Sequence, residues 1–193
     1  MTIFLAFVAI LTIAAACAWL AYGKAKQMRA AASGRLNSLP SYHGAYAALW
    51  AAVPALLLLA MWVPVQTELV DRAVLSSAEG QALPEFEMLR DSILAEARDI
   101  ARGDREEGFN AVSAQLAPRF REAESRYAAI GGGLAIVVAL LAAALALWRS
   151  GGRLEFRARS GVERWLMALL VAASMIAILT TLGILLSLMF ESL

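Results

Sequence analysis

Charged residues are scarce in this 193-residue sequence: Asp, Glu, Lys and Arg together make up 17% of it, whereas 61% of the residues are hydrophobic. A soluble domain is about 45–50% apolar, so the excess predicts membrane-spanning segments. The net charge of +1 gives no electrostatic basis for binding nucleic acid, and we expect no such partner.

Cysteine and histidine each occur once, as Cys17 and His43. A single cysteine excludes an internal disulfide and any metal site built from several cysteines. A single histidine without suitable companions predicts neither a metal centre nor Ser-His-Asp catalysis. A Walker sequence is also missing, so the sequence predicts no ATP site, no cofactor and no enzymatic activity.

Four apolar stretches contain no Asp, Glu, Lys, Arg or His: residues 1–22, 44–65, 127–148 and 165–190. Each is long enough to cross the ~30 Å hydrocarbon core as a helix, and the last, at about 39 Å, must tilt or protrude. They predict an all-α membrane protein with four transmembrane helices. Because no ionisable residue lies inside a span, the chain alone is a poor candidate for an ion-coupled transporter.

The two short loops between spans are basic. Residues 23–43 carry three arginines or lysines before residue 30 and a further arginine at Arg35, with no acidic residue, and residues 149–164 carry five arginines against two glutamates. The positive-inside rule then makes both loops cytoplasmic and both termini extracytoplasmic. The chain divides accordingly into residues 1–66 (two spans and a basic loop), 67–126 (an acidic extracytoplasmic segment) and 127–193 (two spans and a basic elbow).

Residues 67–126 contain thirteen acidic and eight basic residues, and their apolar spacing predicts helices. We expect Pro84 at the first position of one helix and Gly103 as its C-terminal cap. The predicted apolar stripe is Phe86, Leu89, Ile93, Ala97 and Ile100.

A weaker pattern through Phe109, Val112, Leu116 and Phe120, interrupted by Pro118, predicts a second helix that packs on the first as a hairpin. The clustered carboxylates Asp104, Glu106 and Glu107 lack calcium-loop spacing and indicate a solvated face.

Small residues recur at helical spacing in the fourth span. Such residues allow close approach of helix backbones within lipid, so they indicate a face that packs on protein. The predicted packing residues are Ala173, Ala177, Thr180, Gly183 and Ser187.

Two stretches resemble the N-terminal region of the permease subunit of bacterial phosphate ABC importers, the PstC type with an extended N-terminus. The first is LNSLPSYHGAYAALW at residues 36–50, continuing into PALLLL at 54–59. The second is FRARSGVER at 156–164, followed by AILTTLGILLS at 177–187 and FESL at 190–193. The second stretch is the more specific match to this family, because a charged elbow is joined there to a polar pattern inside a span.

The resemblance implies an all-α permease segment in the bacterial cytoplasmic (inner) membrane. It implies an interfacial elbow leading into the first helix of the transport core, with the elbow residues Phe156, Arg157, Arg159, Arg164 and Trp165. Its implied partners are membrane lipid, other permease subunits, an ATPase subunit and a periplasmic phosphate-binding protein. The cytoplasmic Glu-Ala-Ala…Gly loop that docks the ATPase in such permeases is missing. The chain is therefore expected to be the extension plus the first core helix, in a truncated, split or free-standing version.

The expected function is a structural, packing part of a phosphate importer permease. Two alternatives stay open from the sequence. One is a free-standing multi-pass scaffold or accessory subunit of another membrane complex. The other is a membrane sensor whose residues 67–126 form an external helical input segment.

Overall fold

The computed structural model describes residues 3–31, 39–84, 86–105, 108–150 and 158–191. Within these ranges the chain forms helices and turns and contains no strand, as the all-α prediction requires. The elements are α1 (Ile3–Ala31), α2 (Pro40–Leu75), α3 (Ala78–Gln81), α4 (Glu87–Arg102), α5 (Ala111–Ser150) and α6 (Ala158–Glu191).

Four of these helices, α1, α2, α5 and α6, are long and apolar enough to cross a membrane, which confirms the four predicted spans. All four extend beyond the predicted apolar stretches, and two of them extend far into the polar segment. Helix α2 runs ten residues beyond Val65, and α5 begins at Ala111, well before the predicted start of the third span. The polar segment is thus partly built from the same helices that form the spans.

The predicted interruption at Pro118 is wrong, because this proline lies inside α5. The second amphipathic helix and the third span are one continuous helix. A proline removes one intrahelical hydrogen bond and crowds the preceding turn. The residues around it, Leu116, Ala117 and Phe120, are all buried in one core, and their packing stabilises the helix across the proline.

The chain forms two compact units, and α1, α2 and α5 each contribute a part to both. The first unit comprises residues 1–13 and 52–142. One of its cores is made mainly of small side chains, which let the three apolar helices approach closely. Its buried members are Ala6, Ile10, Ala55, Leu59, Ala135 and Ala139.

The second core of this unit belongs to what we call the polar bundle: residues 67–126, formed by α3, α4 and the adjoining ends of α2 and α5. Its buried members are Val70, Val74, Ile93, Leu94, Ala97, Ala101, Leu116, Ala117 and Phe120. The predicted hairpin is therefore present, but a third helix, the end of α2, closes the core.

Helix α4 ends where the sequence predicted. Gly103 has φ = 82°, in the left-handed region that favours glycine, and its N–H donates to the carbonyls of Asp99 and Ile100. The start of the helix differs from the prediction. Phe86 is the N-cap and Glu87 the first helical residue, so Pro84 precedes the helix instead of opening it.

The predicted apolar stripe is correct only in its centre. Ile93 and Ala97 are buried, whereas Phe86 and Leu89 are exposed. The burial of Leu94 and Ala101 shows that the core-facing side of α4 is rotated from the predicted stripe. The reason is the third helix, since Val70 and Val74 of α2 join the same core and cover a side of α4 that a two-helix hairpin would leave open. The second predicted pattern also fails at its start, because Phe109 is 95% exposed.

The second unit comprises residues 14–51 and 143–193, with the C-terminal part of α1, the N-terminal part of α2, the last residues of α5 and all of α6. Cys17 is buried, and its thiol donates to the carbonyl of Ala143 at 3.8 Å. A Cβ at Gly44 would lie 3.0 Å from the carbonyl oxygen of Ala18, so α1 and α2 approach closely there. These contacts pack α1 against α5 and α2 within this unit.

Candidate functional site

Helix α6 is buried only near its start. Ala158 and Val162 are its buried residues, whereas residues 166–191 are all exposed. The five predicted packing residues, Ala173, Ala177, Thr180, Gly183 and Ser187, therefore lie on a surface that no other described part of this unit covers.

The two threonine hydroxyls of α6 are bonded within the helix. The hydroxyl of Thr180 donates to the carbonyl of Ile176 at 2.8 Å, and that of Thr181 donates to the carbonyl of Ala177 at 2.9 Å. Apart from the adjoining backbone of α6 itself, no described atom lies within 4 Å of the position that a Cβ on Gly183 would occupy. The surface thus presents small groups and threonine hydroxyls that are already bonded, which is the chemistry that helix packing in lipid needs.

The predicted elbow residues at the start of α6 have different surroundings in the structure. Arg159 pairs with Glu163, one turn further on, with Nε 2.7 Å from the carboxylate. Arg164 and Trp165 instead line a cavity. Phe156 and Arg157 lie outside the described residues.

We call this cavity the Arg–Trp cavity. It has a volume of about 660 Å³ and is lined by Tyr46, Trp50, Arg149, Ser160, Gly161, Arg164, Trp165 and Ala168. Helices α2, α5 and α6 all contribute to it. The size falls within the ~300–1,000 Å³ typical of small-ligand sites.

Aromatic rings form one side of the Arg–Trp cavity. The Trp50 and Trp165 rings meet edge to face with centroids 5.7 Å apart, and the Tyr46 ring centroid lies 6.1 Å from that of Trp50. Gly161 lets α6 approach the ring of Tyr46, since a methyl group there would lie 2.7 Å from the ring carbons. Such rings suit the membrane interface, where one edge is apolar and the other wet.

The cavity also carries two positive charges, on Arg149 and Arg164. Among the described residues, neither Arg149 nor Arg164 has a carboxylate within salt-bridge distance, unlike the neighbouring Arg159. Sequence reasoning assigned Arg164 and Trp165 to the interface but missed the cavity. The available signal was that tryptophans and arginines recur together at the basic ends of separate spans.

A second cavity, of about 540 Å³, lies between the basic C-terminal end of α1 and the start of α2. Its lining includes Lys26 and Arg29 of α1 with Leu39 and Pro40 at the start of α2. It contains two further cations, but Tyr22 is its one aromatic lining residue among those described.

The polar bundle neutralises much of its own charge through ion pairs between elements. Arg98 pairs with Asp71 and also lies 5.6 Å from the centroid of the Phe120 ring. Arg102 of α4 pairs with Glu124 of α5 at 3.2 Å. Arginines that are already paired in this way are poor sites for an external anion.

The short helix α3 is joined to α5 by a further ion pair. Arg119 lies 3.0 Å from the carboxylate of Glu79. The pKa of Glu79 is lowered, chiefly by a hydrogen bond from its own backbone N–H and next by the one from Arg119. The carboxylate is therefore charged at neutral pH and holds the Arg119 guanidinium in place.

Glu96 anchors the turn between α4 and α5. Its carboxylate accepts hydrogen bonds from the Ser113 hydroxyl at 2.8 Å and from the Phe109 backbone N–H. The Ser113 bond is the main reason that the pKa of Glu96 is lowered, followed by the Phe109 bond. Glu106 and Glu107 lie outside the described residues. Among the residues that are described, no cluster of His, Cys, Asp or Glu could hold a metal ion.

These features define a multi-pass, all-α membrane protein with one polar helical bundle. The chain belongs to the phosphate ATP-binding cassette transporter family, whose model matches residues 7–180 and thus parts of both units. Family membership implies partners within a transporter complex. No curated protein and no solved structure gives a significant match.

Proposed function

We propose that this chain is the membrane-embedded N-terminal part of the permease subunit of a PstC-type phosphate importer, with a structural role. It has no ATP site of its own and is not an enzyme. The family match across residues 7–180 supports transport of phosphate as the setting. The resemblance of residues 36–59 and 156–193 to the start of such permeases supports the subunit.

The observation that carries the proposal is that α6 is exposed from residue 166 to 191 in the part of the chain that the structure describes, with small side chains along one face. The five packing residues share this face by helical spacing, although Ile176 and Ile184 also lie on it. The opposite face is bulky and includes Ile178, Leu182 and Met189. Small residues let a second helix approach closely, so the small-residue face docks on other helices of the permease.

The proposed location is the bacterial inner membrane, with α1, α2 and α5 as a peripheral layer around the transport core. The basic ends of the helices, with Lys24, Lys26 and Arg149 among their charges, lie on the cytoplasmic side by the positive-inside rule. The polar bundle and both termini are then extracytoplasmic. In that position the bundle is a contact surface for a periplasmic phosphate-binding protein.

Purification of the tagged chain from its native membrane, in mild detergent, tests the proposal. We expect an ATP-binding subunit and a second permease subunit to co-purify, identified by mass spectrometry, with the phosphate-binding protein present when phosphate is supplied. A chain that purifies alone, or with an unrelated complex, would contradict the proposal and favour the scaffold alternative.

A further inference from the structure

We propose that the Arg–Trp cavity binds the phosphodiester headgroup of an anionic phospholipid. In this proposal the cavity recognises a phosphate group that is attached to an apolar molecule. Its two guanidinium groups, on Arg149 and Arg164, come from different helices and line one cavity. Guanidinium groups bind phosphate oxygens through charge-assisted hydrogen bonds, often in pairs.

The charges around the Arg–Trp cavity favour the binding of an external anion. Arg159, on the same helix as Arg164, is neutralised by Glu163, whereas the two cavity arginines have no carboxylate partner among the described residues. A bound phosphate would supply the missing negative charge. Basic cavities between transmembrane helices are sites of this kind for lipid headgroups.

The apolar lining favours a lipid over free phosphate. The rings of Trp50 and Trp165 form the wall, and tryptophan rings are enriched at the headgroup level of membranes. Beyond Ala168, the exposed apolar surface of α6 continues through Leu169 and Leu170. The headgroup can therefore occupy the cavity while its acyl chains lie along α6, whereas a free phosphate ion would meet an apolar wall.

The test uses the full chain, purified in a neutral detergent and titrated with phosphatidylglycerol or phosphatidylcholine, with bound lipid counted by native mass spectrometry. We expect phosphatidylglycerol to bind more tightly. Arg149→Gln and Arg164→Gln should each weaken that binding by about fivefold, given the attraction of one arginine to an anionic lipid. The matched control Arg159→Gln removes the same charge from the same helix outside the cavity, and should change the affinity less than about twofold.

Arg149→Lys and Arg164→Lys keep the charge and are expected to retain most of the binding, which separates loss of charge from misfolding. Equal binding of the two lipids, or equal effects of the Arg159 and Arg164 variants, would overturn the proposal. Displacement of the lipid by millimolar inorganic phosphate would assign the cavity to the free ion and overturn the lipid assignment. None of these outcomes depends on which subunits co-purify, so the inference can fail while the proposed function stands.

Discussion

Replacement of Phe120 by alanine is expected to open the polar bundle. The Phe120 side chain is 0% exposed and lies in the core that joins α2, α4 and α5. Truncation of a buried Phe costs about 3–5 kcal/mol because of lost burial and the cavity that is left. Amide hydrogen exchange in α4, measured by mass spectrometry in detergent, should accelerate by about a hundredfold or more.

Phe109→Ala is the matched control, since it removes the same ring from the same bundle. The Phe109 side chain is 95% exposed, and its ring contacts Arg105, whose guanidinium lies 5.3 Å from the ring centroid. An exposed contact of this kind contributes about 0.5–1 kcal/mol, so exchange should accelerate by less than about fivefold. Similar acceleration in both variants would contradict the three-helix core.

Gly131→Ala is expected to destabilise the packing of α5 on α2. A methyl group at residue 131 would lie 2.0 Å from Nε1 of Trp62, so the indole must move. That movement breaks the hydrogen bond from Trp62 Nε1 to the carbonyl of Tyr127, which is 3.1 Å long. Overpacking costs about 1–3 kcal/mol, and thermal unfolding in detergent should shift down by about 2–12 °C.

Gly133→Ala provides the control two residues further along the same helix. Apart from the adjoining backbone of α5 itself, no described atom lies within 4 Å of the position of the added methyl group. Because alanine favours a helix over glycine by about 0.5–1 kcal/mol, Tm should stay the same or rise slightly. If the two alanine variants behave alike, the close approach of Trp62 to Gly131 is wrong.

The spans could be predicted because an uninterrupted apolar stretch has few alternatives to a membrane helix. The C-terminal cap of α4 could also be predicted, since Gly103 follows a periodic pattern. The participation of a third helix in the polar bundle, the end of α2, could not be predicted from the sequence. Val70 and Val74 lie in the polar continuation of an apolar span, and only the tertiary packing shows that they join the core with α4.

The candidate site was harder to predict than the spans, because its residues meet only through long-range contacts. Trp50 and Trp165 are far apart in the sequence, and no periodic pattern relates them. The same holds for the ion pairs of the polar bundle, in which Arg119 contacts Glu79 as well as its near neighbour Glu122. Sequence spacing identified the charged residues, but the fold determines which of them are neutralised and which line a cavity.

Photo-cross-linking from α6 in the native membrane tests the central claim most directly. A photoreactive amino acid placed at Ser187 would lie on the small-residue face, whereas the same group at Ser174, another exposed serine of α6, would point well away from it. The account predicts adducts with another permease helix from residue 187 and mainly lipid adducts from residue 174. Lipid adducts alone from both positions would contradict it.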